Sequence, residues 1–239
     1  MYQQEPLQEK IQSAIALFSG GQIQEALVDI ETLIKDYPYQ PLPFNISGAF
    51  YKEIGKLDEA VKRFEKALSI KPDYAQAHNN LGVTLKDLGQ LDSSIKSLKK
   101  ALAIEPDYPQ AHNNLGIVHQ ERGQIDDAVK QYEKAVAIKL DYAEAYHNLS
   151  TLKKYTANDP QITQMQSLLS TNNLSQSDRI HLCFALAKVN EDLGNQDEFF
   201  EFLHEGNRLR KKELNYSLDN SQNLFSIVKK MFSSPPSLS

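Results

Sequence analysis

Asparagine recurs in this chain at a spacing that could do chemistry. Asn79-Asn80 is followed 34 residues on by Asn113-Asn114, and His147-Asn148 stands a further 34 residues along. A primary amide offers two N–H donors and an oxygen acceptor, so a row of them suits the main chain of an extended polypeptide whatever its side chains. Lys52, Lys86, Gln120 and Lys154 share a second phase of the same period and could lengthen the contact. Each hydrogen bond contributes about 0.5–1.5 kcal/mol net, whereas association costs roughly 4–15 kcal/mol. The amides alone would bind weakly, so the second row must supply further contacts. The predicted peptide-binding set is Asn79, Asn80, Lys86, Asn113, Asn114, Gln120, His147, Asn148 and Lys154.

Other chemistry finds little support. The chain has no Gly-rich loop followed by Lys-Ser/Thr for a nucleotide phosphate, and no Gly-x-Ser-x-Gly elbow for a nucleophile. Its one cysteine, Cys183, lies in the apolar run Leu182-Cys183-Phe184-Ala185-Leu186, which reads as a buried, inert thiol. His78 and His112 are one period apart and could bracket a metal ion or pack between helices. The neighbours of His119, His181 and His204 in sequence, Glu121, Cys183 and Glu205, make no recognised ligand motif with them. The expectation is a protein without catalysis, cofactor or metal.

The same period governs the elements that must position these residues. Gly21, Gly55, Gly89 and Gly123 fall at one phase, and Ala26, Ala60, Ser94 and Ala128 fall five residues later. Ala67, Ala101 and Ala135 follow seven residues beyond those, with Leu33 in the first copy. Pro38, Pro72 and Pro106 close three units, and Leu140 replaces proline in the fourth. A fixed period of this length, with no insertion from Leu7 to Tyr142, is the mark of a solenoid of helical hairpins. Gly82 and Gly116 interrupt helices at a cost of about 0.8–1.0 kcal/mol each relative to alanine. That cost implies close helix packing there, with Ala101 and Ala135 as the expected small partners.

On these residues the sequence resembles the tetratricopeptide repeat, with Leu81-Gly82, Ala101 and Pro106 at its signature positions. The resemblance implies an all-α, right-handed α–α superhelix that acts as a non-catalytic protein-interaction scaffold. It places the first helix of each hairpin on the concave face, and with it the asparagines. There Asn80, Asn114 and Asn148 look like the asparagine ladder of O-linked N-acetylglucosamine transferases, which holds polypeptide by its main chain. It also puts His78 and His112 where a large ring normally packs between helices. Repeats that clamp the carboxylate tail of heat-shock chaperones use Lys and Asn at inner-face sites. Here those sites carry Asn45, Asn79 and Asn113, then Ala49, Val83 and Ile117, so that basic clamp is missing.

The predicted array spans residues 7–155, with repeats at about 7–40, 41–74, 75–108 and 109–142 and a partial fifth over 143–155. In the fifth, Ala145-Tyr146-His147-Asn148-Leu149-Ser150 keeps the pattern, and Asp159-Pro160 then starts an off-consensus helix to Leu169. The polar stretch from Thr171 to Ser177 should end in an N-cap. Residues 159–232 form the predicted C-terminal helical region, with a divergent hairpin at 178–214 stopped midway by Gly194. A last helix over about 219–232 and a disordered tail at 233–239 complete the reading.

A second resemblance covers about 143–232. Leu152-Lys153-Lys154-Tyr155-Thr156, Phe184-Ala185-Leu186-Ala187-Lys188 and Glu205-Gly206-Asn207-Arg208-Leu209-Arg210 look like bacterial proteins that join such repeats to a sulfotransferase domain. It implies, as the rival reading, a substrate-presenting arm whose catalytic part is absent from this chain.

The formal net charge of −5 comes from interspersed Lys and Glu, which argues against broad nucleic-acid affinity. The basic run Arg208–Lys212 reads as a solvated helix end. Met1 to Pro6 lacks the basic and apolar regions of a secretory signal, and no apolar stretch reaches bilayer-spanning length. The expected compartment is the cytoplasm and the expected partner a protein or peptide, with self-association possible and neither nucleic acid nor membrane involved.

Overall fold

The structure is a computed structural model that describes residues 4–171 and 173–214. The expected last helix over 219–232 and the expected tail over 233–239 lie outside the described residues. Among the described residues there is no strand, and the all-α expectation holds. The chain divides into two compact units between Lys139 and Leu140.

The first unit is four antiparallel hairpins: α1 (Gln4–Ser19) with α2 (Ile23–Asp36), α3 (Pro41–Glu53) with α4 (Leu57–Ile70), α5 (Ala75–Asp87) with α6 (Leu91–Ile104), and α7 (Pro109–Glu121) with α8 (Ile125–Ile138). In each hairpin the first helix ends on a Schellman motif. At α5, Gly89 takes φ +72°, Gly89 N–H donates to Lys86 O, and Gln90 N–H donates to Leu85 O. The left-handed turn is open to glycine at little cost and strains other residues. Helices α2 to α8 have no side-chain N-cap bond. Their ordering comes from stacking rather than local caps.

Packing explains the helical glycines, with a different partner from the one expected. A Cβ on Gly48 would sit 2.6 Å from Phe64 Cε1, on Gly82 2.7 Å from Leu98 Cγ, and on Gly116 2.6 Å from Tyr132 Cε1. The bulky residue of the facing helix fills the notch, not Ala101 or Ala135. Those alanines are fully buried elsewhere in the same hairpins. Between neighbouring hairpins, Phe18 stacks on Phe50 at 4.2 Å, and Arg63 bridges Glu31 at 2.8 Å. Successive first helices also touch, α3 with α5 and α5 with α7, which places them on the tighter side of the stack.

The second unit holds α9 (Ala143–Ser150), α10 (Pro160–Leu169), α11 (Gln176–Leu193) and α12 (Gln196–Glu213). Where the repeat pattern lapses, side-chain caps appear. Asp159 accepts from Gln161 N–H at the start of α10, and Ser175 accepts from Asp178 N–H at the start of α11. The cap is thus Ser175 and not Ser177, and α11 begins two residues before the expected start. Hairpin α11–α12 reuses the Schellman turn: Gly194 has φ +77°, with Gly194 N–H on Glu191 O and Asn195 N–H on Asn190 O.

Candidate functional site

Helices α3, α5 and α7 carry the asparagines, and the two adjacent phases have different surroundings. Asn45, Asn79 and Asn113 are buried at 1%, 6% and 0% exposure, whereas Asn80 and Asn114 are half-buried. Adjacent positions on a helix point about 100° apart, so the first row faces the neighbouring hairpin and the second faces outward. A bond joins them across hairpins. Asn80 Nδ2 donates to Asn45 Oδ1 at 3.1 Å, and Asn114 Nδ2 donates to Asn79 Oδ1 at 2.9 Å. Each brace uses one N–H of the outer asparagine, and a primary amide keeps a second N–H and its oxygen. Asn45 and Asn79 of the inner row thus brace the outer one, and Asn113 is buried at the same phase.

The second predicted row is also tied into the stack. Lys86 Nζ lies 2.8 Å from Asp87 and 3.8 Å from Glu121 in the next repeat, and Lys52 lies 3.7 Å from Asp87. Gln120 Oε1 accepts from the Tyr132 hydroxyl at 2.8 Å. Asp87 and Glu121 were missed by the sequence reading, although they share a phase one residue after Lys86 and Gln120. Between these rows lie Ala49, Val83 and Ile117, each partly exposed. The inner face of the first unit thus presents amides and small apolar side chains with its charges internally compensated.

In the second unit His147 is half-buried. Its ring lies 5.5 Å from that of His181 and 5.9 Å from that of Phe184, and its Nδ1 is buried without a partner. Burial, then the nearby His181 and Arg210, push its pKa down to about 4. Burial lowers that of His181 as well. Asn148 is half-buried at the end of α9, and Lys154 is exposed beyond it.

His78 and His112 are packing residues. Nε2 of each donates to the carbonyl that ends the preceding repeat, Pro72 at 2.9 Å and Pro106 at 3.0 Å. His112 Nδ1 also pairs with the Gln131 amide at 2.8 Å, whereas His78 Nδ1 is buried without a partner. Tyr146 holds the same phase in the second unit, fully buried, and burial raises its pKa. Cys183 is buried, and its thiol is pushed up to about 11. Among the described residues no group of three metal-ligating side chains occurs, and no helix is long and apolar enough to cross a membrane.

Two family descriptions match the sequence, TPR repeat over residues 48–89 and Tetratricopeptide repeat over residues 73–141. Over residues 48–141 the hairpins match the tetratricopeptide repeat. Solved structures of similar fold agree. PilW, a widely conserved type IV pilus biogenesis factor, is 25% identical, with 91% of this chain and 98% of that one covered at a TM-score of 0.65. PilF of Pseudomonas aeruginosa is 15% identical, with 93% and 98% covered at 0.68. A thermophilic TPR protein of Thermus thermophilus is 21% identical, with 75% and 98% covered at 0.60. No curated protein matches the sequence.

Proposed function

We propose that this protein is a non-catalytic scaffold whose repeat groove receives an extended segment of another protein by its main chain. The observation that carries the reading is the pair of braces Asn80–Asn45 and Asn114–Asn79. A brace fixes the rotamer of the outer amide before a ligand arrives, which reduces the ordering cost of binding. The free oxygen and second N–H of each outer amide, one repeat apart, match the donor and acceptor of a peptide group. Val83 and Ile117 offer apolar contact alongside, and the paired lysines give no uncompensated charge for an acidic tail. The 25% identity with a pilus biogenesis factor over nearly all of both chains supports a role in protein assembly. Asn148 and Lys154, on the second unit, are separate candidates for contact with a partner chain.

The test is an array of unstructured peptides probed with the parent and with Asn80→Ala/Asn114→Ala. The parent should retain uncharged extended peptides, and the double variant should lose them. Equal retention by both, with both folded, would refute the main-chain reading. The variant also strands the buried oxygens of Asn45 and Asn79, each at about 1–3 kcal/mol. Its stability should fall measurably, and binding must be compared well below its melting temperature. The arm of a sulfotransferase is the second reading; coding sequence beyond Ser239 with a phosphate loop would establish it.

A further inference from the structure

Apart from the groove between first helices, the second helices of the first unit carry rows of exposed lysine interspersed with carboxylates. Lys62, Lys96 and Lys130 share one phase, and Lys66, Lys100 and Lys134 another four residues on, all exposed on α4, α6 and α8. Lys62 and Lys130 have acid partners three residues back, Glu59 and Asp127. Lys66, Lys96, Lys99, Lys100 and Lys134 have none within ion-pair distance among the described residues. Two grooves flank α6. The α4–α6 groove sets Lys100 among the carboxylates of Glu65 and Asp73. The α6–α8 groove, about 600 Å³, has Lys99 on one wall and Lys134 on the other above Leu102, Leu115 and Ile138, with Asp107 as its one carboxylate. No arginine, tyrosine or phenylalanine lines it, so it lacks the stacking platforms of a nucleic-acid site.

The complement is on the same chain. On α12, Asp197, Phe200, Glu201 and His204 are exposed at i, i+3, i+4 and i+7 spacing, which puts them on one face, and Glu198 is exposed beside them. Phe200 is 52% exposed, its ring 5.0 Å from that of Phe199. Asp197, Glu198 and Glu201 have no cation partner among the described residues. An apolar ring flanked by unpaired carboxylates fits an apolar floor between unpaired lysines.

We propose that the α6–α8 groove is a self-association site that takes α12 of a second copy, with Phe200 on the Leu102–Ile138 floor and its carboxylates between Lys99 and Lys134. One helical turn on one groove buries well under the ~1,000 Å² of a stable interface, so the association is weak and reversible. Donor and acceptor are different surfaces, so the contact is heterologous and each copy can carry both roles.

Sedimentation velocity over a concentration series tests this with the full chain. At about 0.05 M salt the weight-average sedimentation coefficient should rise with concentration, and at about 0.5 M, where screening is several-fold shorter in range, the rise should vanish. Lys99→Glu/Lys134→Glu and Glu198→Lys/Glu201→Lys should each stay monomeric, and mixing the two variants should restore association because the reversed charges then face each other. Phe200→Ala should weaken association about tenfold, roughly 1.4 kcal/mol. All these residues are exposed, and circular dichroism melts check that each variant folds. A monomeric parent in low salt, association insensitive to salt, or a mixture that stays monomeric would overturn the proposal.

Discussion

Gly116 carries the sharpest residue-scale consequence. Its notional Cβ lies 2.6 Å from Tyr132 Cε1, and Tyr132 is itself fully buried and held by its bond to Gln120. The ring cannot swing away without losing that bond. Gly116→Ala should therefore destabilise the protein by about 1–3 kcal/mol through overpacking, read from urea unfolding. Gly116→Ala in a Tyr132→Ala background should recover part of the loss, because the clash is pairwise. Strict additivity of the two substitutions would mean the glycine is needed for another reason. The sequence implied close packing at Gly82 and Gly116 and pointed to the small Ala101 and Ala135, whereas Leu98 and Tyr132 face them. Leu98 and Ala101 are three apart and share a helical face, so periodicity alone cannot choose between them. The asparagine rows posed the same problem at adjacent positions, since the period marks both and only the stacking angle buries one.

At the scale of elements, the repeats contrast with the helices after them. Turn glycines at a 34-residue spacing made α1 to α8 legible from the sequence, because each hairpin solves the same packing problem with the same residues. In the second unit that solution lapses, and α11 covers α9 through a ring cluster no period announces. His147 and His181 pack with Phe184, with the Arg210 cation near both and Glu144, Asp178 and Glu213 facing His181. Both histidines titrate below their ordinary 6.5, so the folded state binds fewer protons than the unfolded chain between about pH 6.5 and about 4. The stability they allow is complete above 6.5 and is lost as pH falls through that window. The melting temperature should drop across it, and His147→Phe should flatten the dependence. A melting curve indifferent to pH from 7 to about 4 would show that these rings do not control the unit.

At the scale of the molecule, the first unit is held together by links that reach one hairpin and no further. Asn45 to Asn80, Asn79 to Asn114, Glu31 to Arg63 and Asp92 to Arg122 each span between 30 and 35 residues. The lysines at the ends of α3 and α5 do the same through Asp87 and Glu121. Part-exposed ion pairs of this kind contribute about 0–1 kcal/mol each, so the part-buried amide braces and apolar contacts such as the Phe18–Phe50 stack carry more of the coupling. A stack with nearest-neighbour coupling alone behaves as a one-dimensional array, in which an interior hairpin gains two interfaces and a terminal one gains a single interface. Within residues 4–139, the hairpins α3–α4 and α5–α6 have a coupled hairpin on each side, whereas α1 and α2 have one. Native-state hydrogen exchange should therefore show slower amides in α3 to α6 than in α1 and α2, with the fastest in α1. Asn79→Ala removes a brace at an interior interface and should lower protection in α5 to α8 more than in α1 and α2. A uniform loss throughout the unit would mean that it unfolds as one cooperative block, and the repeat-by-repeat account of its inner face would have to be given up.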